Sequence, residues 1–319
     1  MTGTKTGGYI SDLSREIRGG GRRLPETFRG KQSQYIRAQQ KRDGGFGGRK
    51  GGADLYYTHF GLWASDVLDV PPEDDCWQAA AGFLQHHAPE PNDIPDCLAL
   101  AHGVHILEAR GYQVDDDAAR KALKELVGGY FGKGPDSLYD AFLAGLAAEL
   151  LGLREPPKRR VIRFVKSRKC RDGGFADLSG GRTGGINPTA AGAALLGICD
   201  GIDDSTVEEL AGFVTGTQRP DGGFPAHADA PCADLMSTFT AMVTLRDLDI
   251  LDRADLAGAA RFARDLREPD GGFKGAQMHD RPDVEYTFYG LGVLGLLSAH
   301  AVRAREQKSE MSAGGSCCT

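Results

Sequence analysis

The sequence reads QRPDGGFPAHADAPCADLMSTFTAM from Gln218 to Met242, and the tetrapeptide Asp-Gly-Gly-Phe within it decides the fold. The same tetrapeptide begins at four positions, Asp43, Asp172, Asp221 and Asp270. The interval between the second and third copies equals the interval between the third and fourth, and the longer first interval leaves room for two degenerate units. Equal spacing of this length predicts a repeat protein whose six units stack on a shared core.

Each unit has the same order: a helix of mixed polarity, the glycine turn, a loop and a more apolar helix. Gly-Gly is expected to end the first helix because glycine adopts positive φ, and the Asp before it can bond the amides of the turn. The Phe is expected to pack between helices of adjacent units, contributing about 1.5–3 kcal/mol per copy. STVEELAGFVTGTQ, from Ser205, carries its apolar residues on one side and predicts a surface helix with Ser205 or Thr206 as its cap.

The second helix of each unit is apolar nearly all round, which predicts an inner helix. The two degenerate units are assigned to NDIPDCLALAHGVHIL, from Asn92, and to a segment from Gly128 in which Gly-Gly-Tyr-Phe replaces Gly-Gly-Phe. A polar residue precedes each inner helix and is predicted to cap it. These residues are Asp54, Asp96, Asp136, Asn187, Asp234 and Asp283.

Composition limits the function classes. The net charge of −6 removes the usual electrostatic reason for nucleic-acid binding. The seven cysteines lack the paired spacing of a zinc ribbon or a disulfide framework, which favours the reducing cytoplasm. No apolar run approaches the roughly 20 residues of a membrane span, so a soluble protein without a transmembrane segment is expected. We expect a flexible basic tail over 1–27, one domain over 28–300 and a disordered tail over 301–319.

Three strings carry a resemblance to a known family: QKRDGGFGGRKGGADLYYTHFGL, QRPDGGFPAHADAPCADLMSTF and REPDGGFKGAQMHDRPDVEYTFYGLGVL. They resemble the repeats of protein prenyltransferase β-subunits and, more distantly, those of squalene and terpene cyclases. The resemblance covers roughly residues 28–300 and implies an all-α fold, an α/α toroid of six helical hairpins around an apolar funnel. In that arrangement the N-termini of the inner helices gather at one mouth, which suits an anion such as a diphosphate.

The resemblance also implies a zinc cofactor, which the related β-subunits hold through Asp-x-Cys before the fifth inner helix and a His at the sixth. Here the fifth unit reads Asp234-Leu235-Met236, and Tyr286 stands where the His would fall. Asp234 therefore remains as the metal-binding candidate, without the Cys and His ligands.

The activity implied by the resemblance is transfer of a prenyl group from an isoprenoid diphosphate, or binding of another lipid, together with a helical α-subunit as partner. The candidate catalytic residues are Asp54, Asp234, Asp283 and Tyr286. The candidate substrate-binding residues are Arg49, Lys50, Tyr57, His59, Phe239, His279, Arg281 and Phe288. Ring closure sets the sixth unit beside the first, so most of these groups are expected near one mouth. Simpler roles are helix caps for Asp54 and Asp283 and solvated loop charges for Arg49 and Lys50.

Three alternatives stay open. The first is a rearranged polar or metal site built from His59, Asp96, Cys97, His102, Asp283 and Glu285. The second is a toroid without catalysis that binds a lipid or a protein in its funnel. The third is a cyclase of the squalene or terpene type, which needs an Asp-x-Asp-Asp acid whose middle carboxyl protonates an alkene. The nearest string that we assign to it, DIPDC from Asp93, has Pro95 where that middle Asp belongs, so prenyl transfer is favoured over cyclisation.

Overall fold

A computed structural model describes residues 8–87, 93–114, 117–153 and 157–314. Within these ranges the chain is helical and contains no β-strand. The helices are α1 (Tyr9–Gly21), α2 (Glu26–Gln39), α3 (Leu55–Val67), α4 (Asp75–His86), α5 (Ile94–Ala109), α6 (Asp117–Lys133), α7 (Leu138–Leu150), α8 (Lys158–Lys166), α9 (Ile186–Ile198), α10 (Asp204–Thr217), α11 (Leu235–Asp247), α12 (Leu256–Asp265) and α13 (Val284–Gly314). A 3₁₀ turn, Leu251–Arg253, precedes α12.

Six of these helices form a closed inner ring. Each of α3, α5, α7, α9 and α11 contacts the next inner helix, and α13 contacts both α11 and α3. Helices α2, α4, α6, α8, α10 and α12 alternate with them along the chain and pack on their outer side. The predicted all-α toroid of six helical hairpins is confirmed.

In the four units that carry Asp-Gly-Gly-Phe, a glycine turn joins the outer helix to its inner partner. In the fifth unit Gly222 has φ of 91°, and the Asp221 carboxylate accepts the Gly223 amide at 3.0 Å. The Phe224 side chain is buried, and its backbone N–H donates to Thr238 Oγ1 on α11 at 3.0 Å. The same amide-to-threonine bond recurs in three other units, Phe46–Thr58, Phe175–Thr189 and Phe273–Thr287. The four Phe side chains are each at most 2% exposed, so the predicted anchors are confirmed.

The predicted surface helix is also confirmed. In α10 the buried residues Leu210, Ala211 and Val214 lie on one face. Its cap is Asp203, which accepts the Thr206 amide, rather than Ser205 or Thr206 themselves.

Three of the predicted helix caps are correct. Asp54, Asp234 and Asp283 accept backbone N–H groups three residues further on, at 2.7–2.8 Å. The other three predicted caps are wrong, because α5, α7 and α9 each begin at a different residue from the one expected. Ser137 caps α7 instead of Asp136, Asp93 caps α5 instead of Asp96, and Gly185 precedes α9 with Asn187 inside the helix.

The predicted turn at Gly128-Gly129 is also wrong, since both residues lie inside α6. This copy lacks the Asp that accepts a turn amide in three of the other units, as Asp43, Asp172 and Asp221 do. The positive φ is supplied further on by Gly134, at 89°, whose N–H donates to the Tyr130 carbonyl oxygen.

The chain termini differ from the expected tails. Residues 9–21 form α1, because Ile10, Leu13 and Ile17 make an apolar face that is buried. This helix crosses the end of the barrel where the inner helices terminate. The C-terminal end of α1 packs closely against α13, because a Cβ on Gly20 would lie 1.9 Å from the Gly295 carbonyl oxygen. At the other terminus α13 continues to Gly314 instead of stopping near residue 300.

Among the residues placed in these helices, we find no helix with the length and apolar character needed to cross a bilayer.

Candidate functional site

Aromatic side chains line a cavity inside the inner ring, which we call the funnel. Its volume is about 120 Å³, and α1 closes its lower end with Tyr9, Ile10 and Leu13. The Trp63 and Phe288 rings are stacked with centroids 4.1 Å apart, and Phe239 meets Phe288 edge-on. The aromatic residues of the wall are Tyr56, Phe60, Trp63, Tyr139, Phe142, Phe239, Phe288 and Tyr289.

The upper end of the funnel holds a carboxyl group paired with a tyrosine. The Tyr56 hydroxyl, on the first turn of α3, donates to Glu285 Oε1 on the first turn of α13 at 2.8 Å. The pKa of Glu285 is raised to about 7, chiefly by burial and also by the nearby Asp283 and Asp234 carboxylates, against the opposing effects of the Tyr56 hydrogen bond and of Arg49. A carboxyl of this pKa is partly protonated at neutral pH.

Arg49 and Asp283 form an ion pair beside this carboxyl. Arg49 Nε lies 2.9 Å from Asp283 Oδ2, and the guanidinium carbon lies 5.7 Å from the Tyr286 ring centroid. Burial raises the pKa of Asp283, while Arg49 counteracts that shift. The cation of Arg49 is therefore already paired with a carboxylate that is almost fully buried.

The fifth inner helix begins with Asp234, whose two carboxylate oxygens accept the amide and the hydroxyl of Ser237 at 2.8 Å. Burial raises the pKa of Asp234. His279 lies near this carboxylate, whose pKa it lowers. The His279 and Tyr286 rings meet edge-on with centroids 5.5 Å apart, and His279 Nδ1 is buried without a hydrogen-bond partner among the described residues.

These donors do not fit the zinc ion that the fold family implies. The Asp234 carboxylate is engaged by Ser237, Met236 offers only a thioether, and Tyr286 carries no ring nitrogen. No three His, Cys, Asp or Glu side chains are grouped to hold a metal within the part of the chain that the structure describes.

The structure brings some predicted site residues together and leaves others apart. Arg49, Asp283, Tyr286 and His279 meet at the mouth, next to Glu285. Phe239 and Phe288 lie in the funnel wall, as does His59 deeper down. The remaining candidates lie at the rim: Lys50 is exposed, Arg281 pairs with Asp280 on an exposed loop, and Tyr57 follows the Asp54 cap.

His59 and His102 form a buried pair in the wall. His59 Nε2 and His102 Nδ1 are 2.8 Å apart, so one ring donates to the other. Burial lowers the pKa of His59 to about 3 and lowers the pKa of His102 as well. Two neutral imidazoles are therefore expected. Cys97 does not supply a thiolate beside them, because burial raises the pKa of its thiol to about 12.

The sequence analysis placed Glu285 only in the alternative polar or metal site, not among the candidate catalytic residues, and it missed Tyr9 as part of the funnel. A signal for the first was present in Asp283-Val284-Glu285, which sets a carboxyl two residues after an Asp. That is the position of the middle carboxyl in the Asp-x-Asp-Asp acid. The string that we assigned to this acid, DIPDC, has Pro95 at the same position. Tyr9 had no such signal, because its contacts are with residues distant in sequence, such as Asp247.

Comparisons with solved structures show the same fold in two kinds of enzyme. Candida albicans protein geranylgeranyltransferase-I, complexed with GGPP, is similar with a TM-score of 0.60 and 12% identity, over 84% of this chain and 90% of that one. The type II terpene cyclase MstE from Scytonema is similar with a TM-score of 0.55 and 11% identity, over 92% and 99% of the two chains. A point variant of MstE in complex with its substrate, geranylgeranyl dihydroxybenzoate, is similar with a TM-score of 0.52 and 11% identity, over 92% of this chain and 98% of that one.

No curated protein sequence matches the chain. A match to the prenyltransferase alpha-alpha toroid domain covers residues 26–92 and 119–313, which is most of the chain. The matched segments include five of the six inner helices of the ring, and α5 lies between them. The chain therefore belongs to the prenyltransferase alpha-alpha toroid family.

Proposed function

We propose that this protein is an isoprenoid-converting enzyme in which Glu285 acts as a general acid on a prenyl chain held in the funnel, as the first step of a terpene-type cyclisation. The observation that carries the proposal is the Tyr56–Glu285 pair at the upper end of the aromatic funnel. A general acid works best when its pKa lies near the working pH, and the pKa of Glu285 is raised to about 7.

The chemistry follows from the geometry of the pair. Tyr56 donates to Oε1, so Oε2 is the oxygen that carries the proton. Its transfer to a terminal alkene carbon forms a C–H bond with the alkene π electrons and leaves a tertiary carbocation on the neighbouring carbon. Glu285 is left as a carboxylate, to which the Tyr56 hydrogen bond becomes stronger. The π electrons of another alkene in the chain then attack this cation, which forms the C–C bond of the ring and moves the positive charge to a further carbon. Loss of a proton to water from a carbon beside that charge forms the alkene of the product, and solvent reprotonates the partly exposed Glu285.

The funnel wall suits a carbocation. The faces of aromatic rings attract cations, by roughly 0.5–2 kcal/mol per contact, and most where water is excluded. Phe60, Phe288 and Tyr289 lie in one aromatic group just below the Tyr56 level, with ring centroids 5.4–5.5 Å apart.

Prenyl transfer from an isoprenoid diphosphate is the second candidate. Asp234 at the position of a family zinc ligand and Arg49 at the mouth favour it, and it brings with it the expected helical partner subunit. Against it stand the pairing of Arg49 with Asp283 and the replacement of the other two zinc ligands by Met236 and Tyr286. If the toroid only binds lipid, as the non-catalytic alternative states, we expect no turnover of any prenyl compound.

The test is incubation of the purified protein with squalene, geranylgeraniol and geranylgeranyl diphosphate, followed by mass spectrometry and NMR of the products. We expect a cyclised isomer of at least one substrate, without release of diphosphate. Glu285→Gln should lower its rate by about 10²–10⁴-fold, the usual contribution of a general acid. Asp280→Asn, at an exposed carboxylate of the mouth loop, is the matched control and should leave the rate unchanged. Diphosphate release with transfer to an acceptor would support the second candidate instead.

A further inference from the structure

The space inside the barrel continues beyond the funnel. At about 120 Å³ the funnel is smaller than the roughly 300–1,000 Å³ of sites that enclose a small ligand. A second cavity, of about 550 Å³, lies at the opposite end of the barrel from the mouth. We call it the vestibule; its wall includes Tyr9, Ala194, Ile198, Arg246, Asp247 and His300. A prenyl chain longer than the funnel needs space beyond one of its ends, and the vestibule lies next to the lower end.

Tyr9 lies in the wall of both cavities. It is the first residue of α1, its ring meets Phe142 of the funnel edge-on, and its hydroxyl donates to Asp247 Oδ2 in the vestibule at 2.6 Å. The start of α1, with Tyr9, Ile10 and Leu13, therefore stands between the two spaces. A chain that passes from one space to the other has to displace it.

The charges of the vestibule determine which chemical group suits it. Its wall carries five carboxylates, on Asp12, Glu16, Asp247, Asp249 and Asp252. The two guanidinium groups are already paired: Arg246 with Glu16 and Asp247 at 2.8 and 2.6 Å, and Arg303 with Glu16 at 2.5 Å. A diphosphate placed here meets surplus negative charge and cations that are already engaged. Several of the carboxylates are paired too, Asp247 with Tyr9 and Arg246 and Asp252 with His300. Because the five carboxylates outnumber the two guanidinium groups of the wall, the surplus negative charge favours an uncharged or cationic polar group over a diphosphate.

We propose that the vestibule binds the polar head group of the prenyl compound whose terminal alkene meets Glu285, and that this head group is uncharged or cationic rather than a diphosphate. The inference rests on the proposed function, because Glu285 determines which end of the chain lies at the mouth. The inner helices separate the two ends by about 20 Å, the length of 13 helical residues.

The test compares three compounds with one hydrocarbon chain, geranylgeraniol, geranylgeranylamine and geranylgeranyl diphosphate, by isothermal titration calorimetry at pH 8. The alcohol and the amine are expected to bind at least tenfold more tightly than the diphosphate. Asp247→Asn should weaken binding of the cationic amine about tenfold and that of the alcohol less than threefold, since a hydrogen bond to a charged group is the stronger one.

Two further variants make the result decisive. Asp249→Asn removes a vestibule charge at a position with φ of 58°, which Asn tolerates, and should lower the preference for the amine even where Asp247→Asn fails to fold. Asp280→Asn, at the mouth, is the control and should change nothing. Tightest binding of the diphosphate, or a response of the amine to Asp280→Asn alone, overturns the inference and leaves the proposed function standing. Absence of binding by all three compounds overturns both.

Discussion

At the scale of single residues, the His59–His102 pair makes stability depend on pH. The folded protein keeps both rings neutral, with the pKa of His59 lowered to about 3, whereas the unfolded chain takes up protons at about 6.5. The unfolded state therefore binds more protons between these values. The stability contributed by the pair is present above pH 6.5 and is lost as the pH falls towards 3.

His102→Phe tests this effect. The variant leaves His59 Nε2 without its partner, so we expect a loss of about 1–3 kcal/mol in the free energy of unfolding at pH 7.5, measured by urea denaturation. The loss should shrink as the pH is lowered to 5, because the variant has one buried imidazole fewer to protonate. His300→Asn, at the exposed pair with Asp252, should show neither effect. A loss independent of pH would mean that the pair is not neutral in the folded state.

Glu285 illustrates what the sequence could and could not predict about the site. The residue types at the mouth, and the closeness of the sixth unit to the first, followed from the repeat. The role of each charge did not, because it depends on partners far away in sequence. Tyr56 and Glu285 are 229 positions apart. The Arg49–Asp283 ion pair likewise converts a predicted diphosphate ligand into an internal partner of a buried carboxylate.

At the scale of elements, a buried hydrogen bond joins the glycine turn to the inner helix in four of the six units. The amide of each anchoring Phe donates to a threonine on the following inner helix, and both groups are buried, as for Phe224 and Thr238. Thr238→Val keeps the shape of the side chain and removes the acceptor. We expect this change to lower the free energy of unfolding by about 1–3 kcal/mol, measured by urea denaturation.

The control for that prediction is Thr215→Val. The Thr215 hydroxyl donates only within its own helix, to the Ala211 carbonyl oxygen on α10, so its loss should cost less than about 0.5 kcal/mol. Equal losses in the two variants would show that the amide-to-threonine bond adds nothing beyond an ordinary helix contact.

Helix α1 provides a second prediction at this scale. Gly20→Ala places a Cβ against the Gly295 backbone, so α1 should separate from the barrel and its amides should exchange faster with solvent in hydrogen–deuterium exchange. Gly19→Ala, one position earlier, meets nothing within 4 Å and should slow exchange slightly, because Ala favours a helix over Gly by about 0.5–1 kcal/mol. Unchanged exchange in Gly20→Ala would show that α1 does not depend on this close contact.

The same elements show where sequence reasoning succeeds. The turns and anchors of four units, and the inner helices, were predictable because each depends on residues only a few positions apart in the sequence. The cap of α7 and the start of α9 were not, since a helix can begin at any of several polar or glycine residues near its end. Helix α1 was read as a tail because it stands outside the repeat, although Ile10, Leu13 and Ile17 carry helical spacing.

At the scale of the whole molecule, ring closure gives the barrel two unlike ends. The mouth gathers the helix N-termini, with a buried carboxyl, an ion pair and tyrosines, and the opposite end is covered by α1 and opens into the acidic vestibule. In the proposed function, a prenyl chain bound between them would have its reactive alkene at the mouth and its head group at the opposite end.

Protonation of carbon by Glu285 is the central claim, and solvent deuterium tests it most directly. The protein is incubated in D₂O with the prenyl compound that it converts, and the product is analysed by mass spectrometry and NMR. The Glu285 carboxyl exchanges with solvent, so we predict a product carrying a single deuterium at the former terminal alkene, absent with Glu285→Gln. A product whose prenyl chain contains no solvent deuterium would contradict this account.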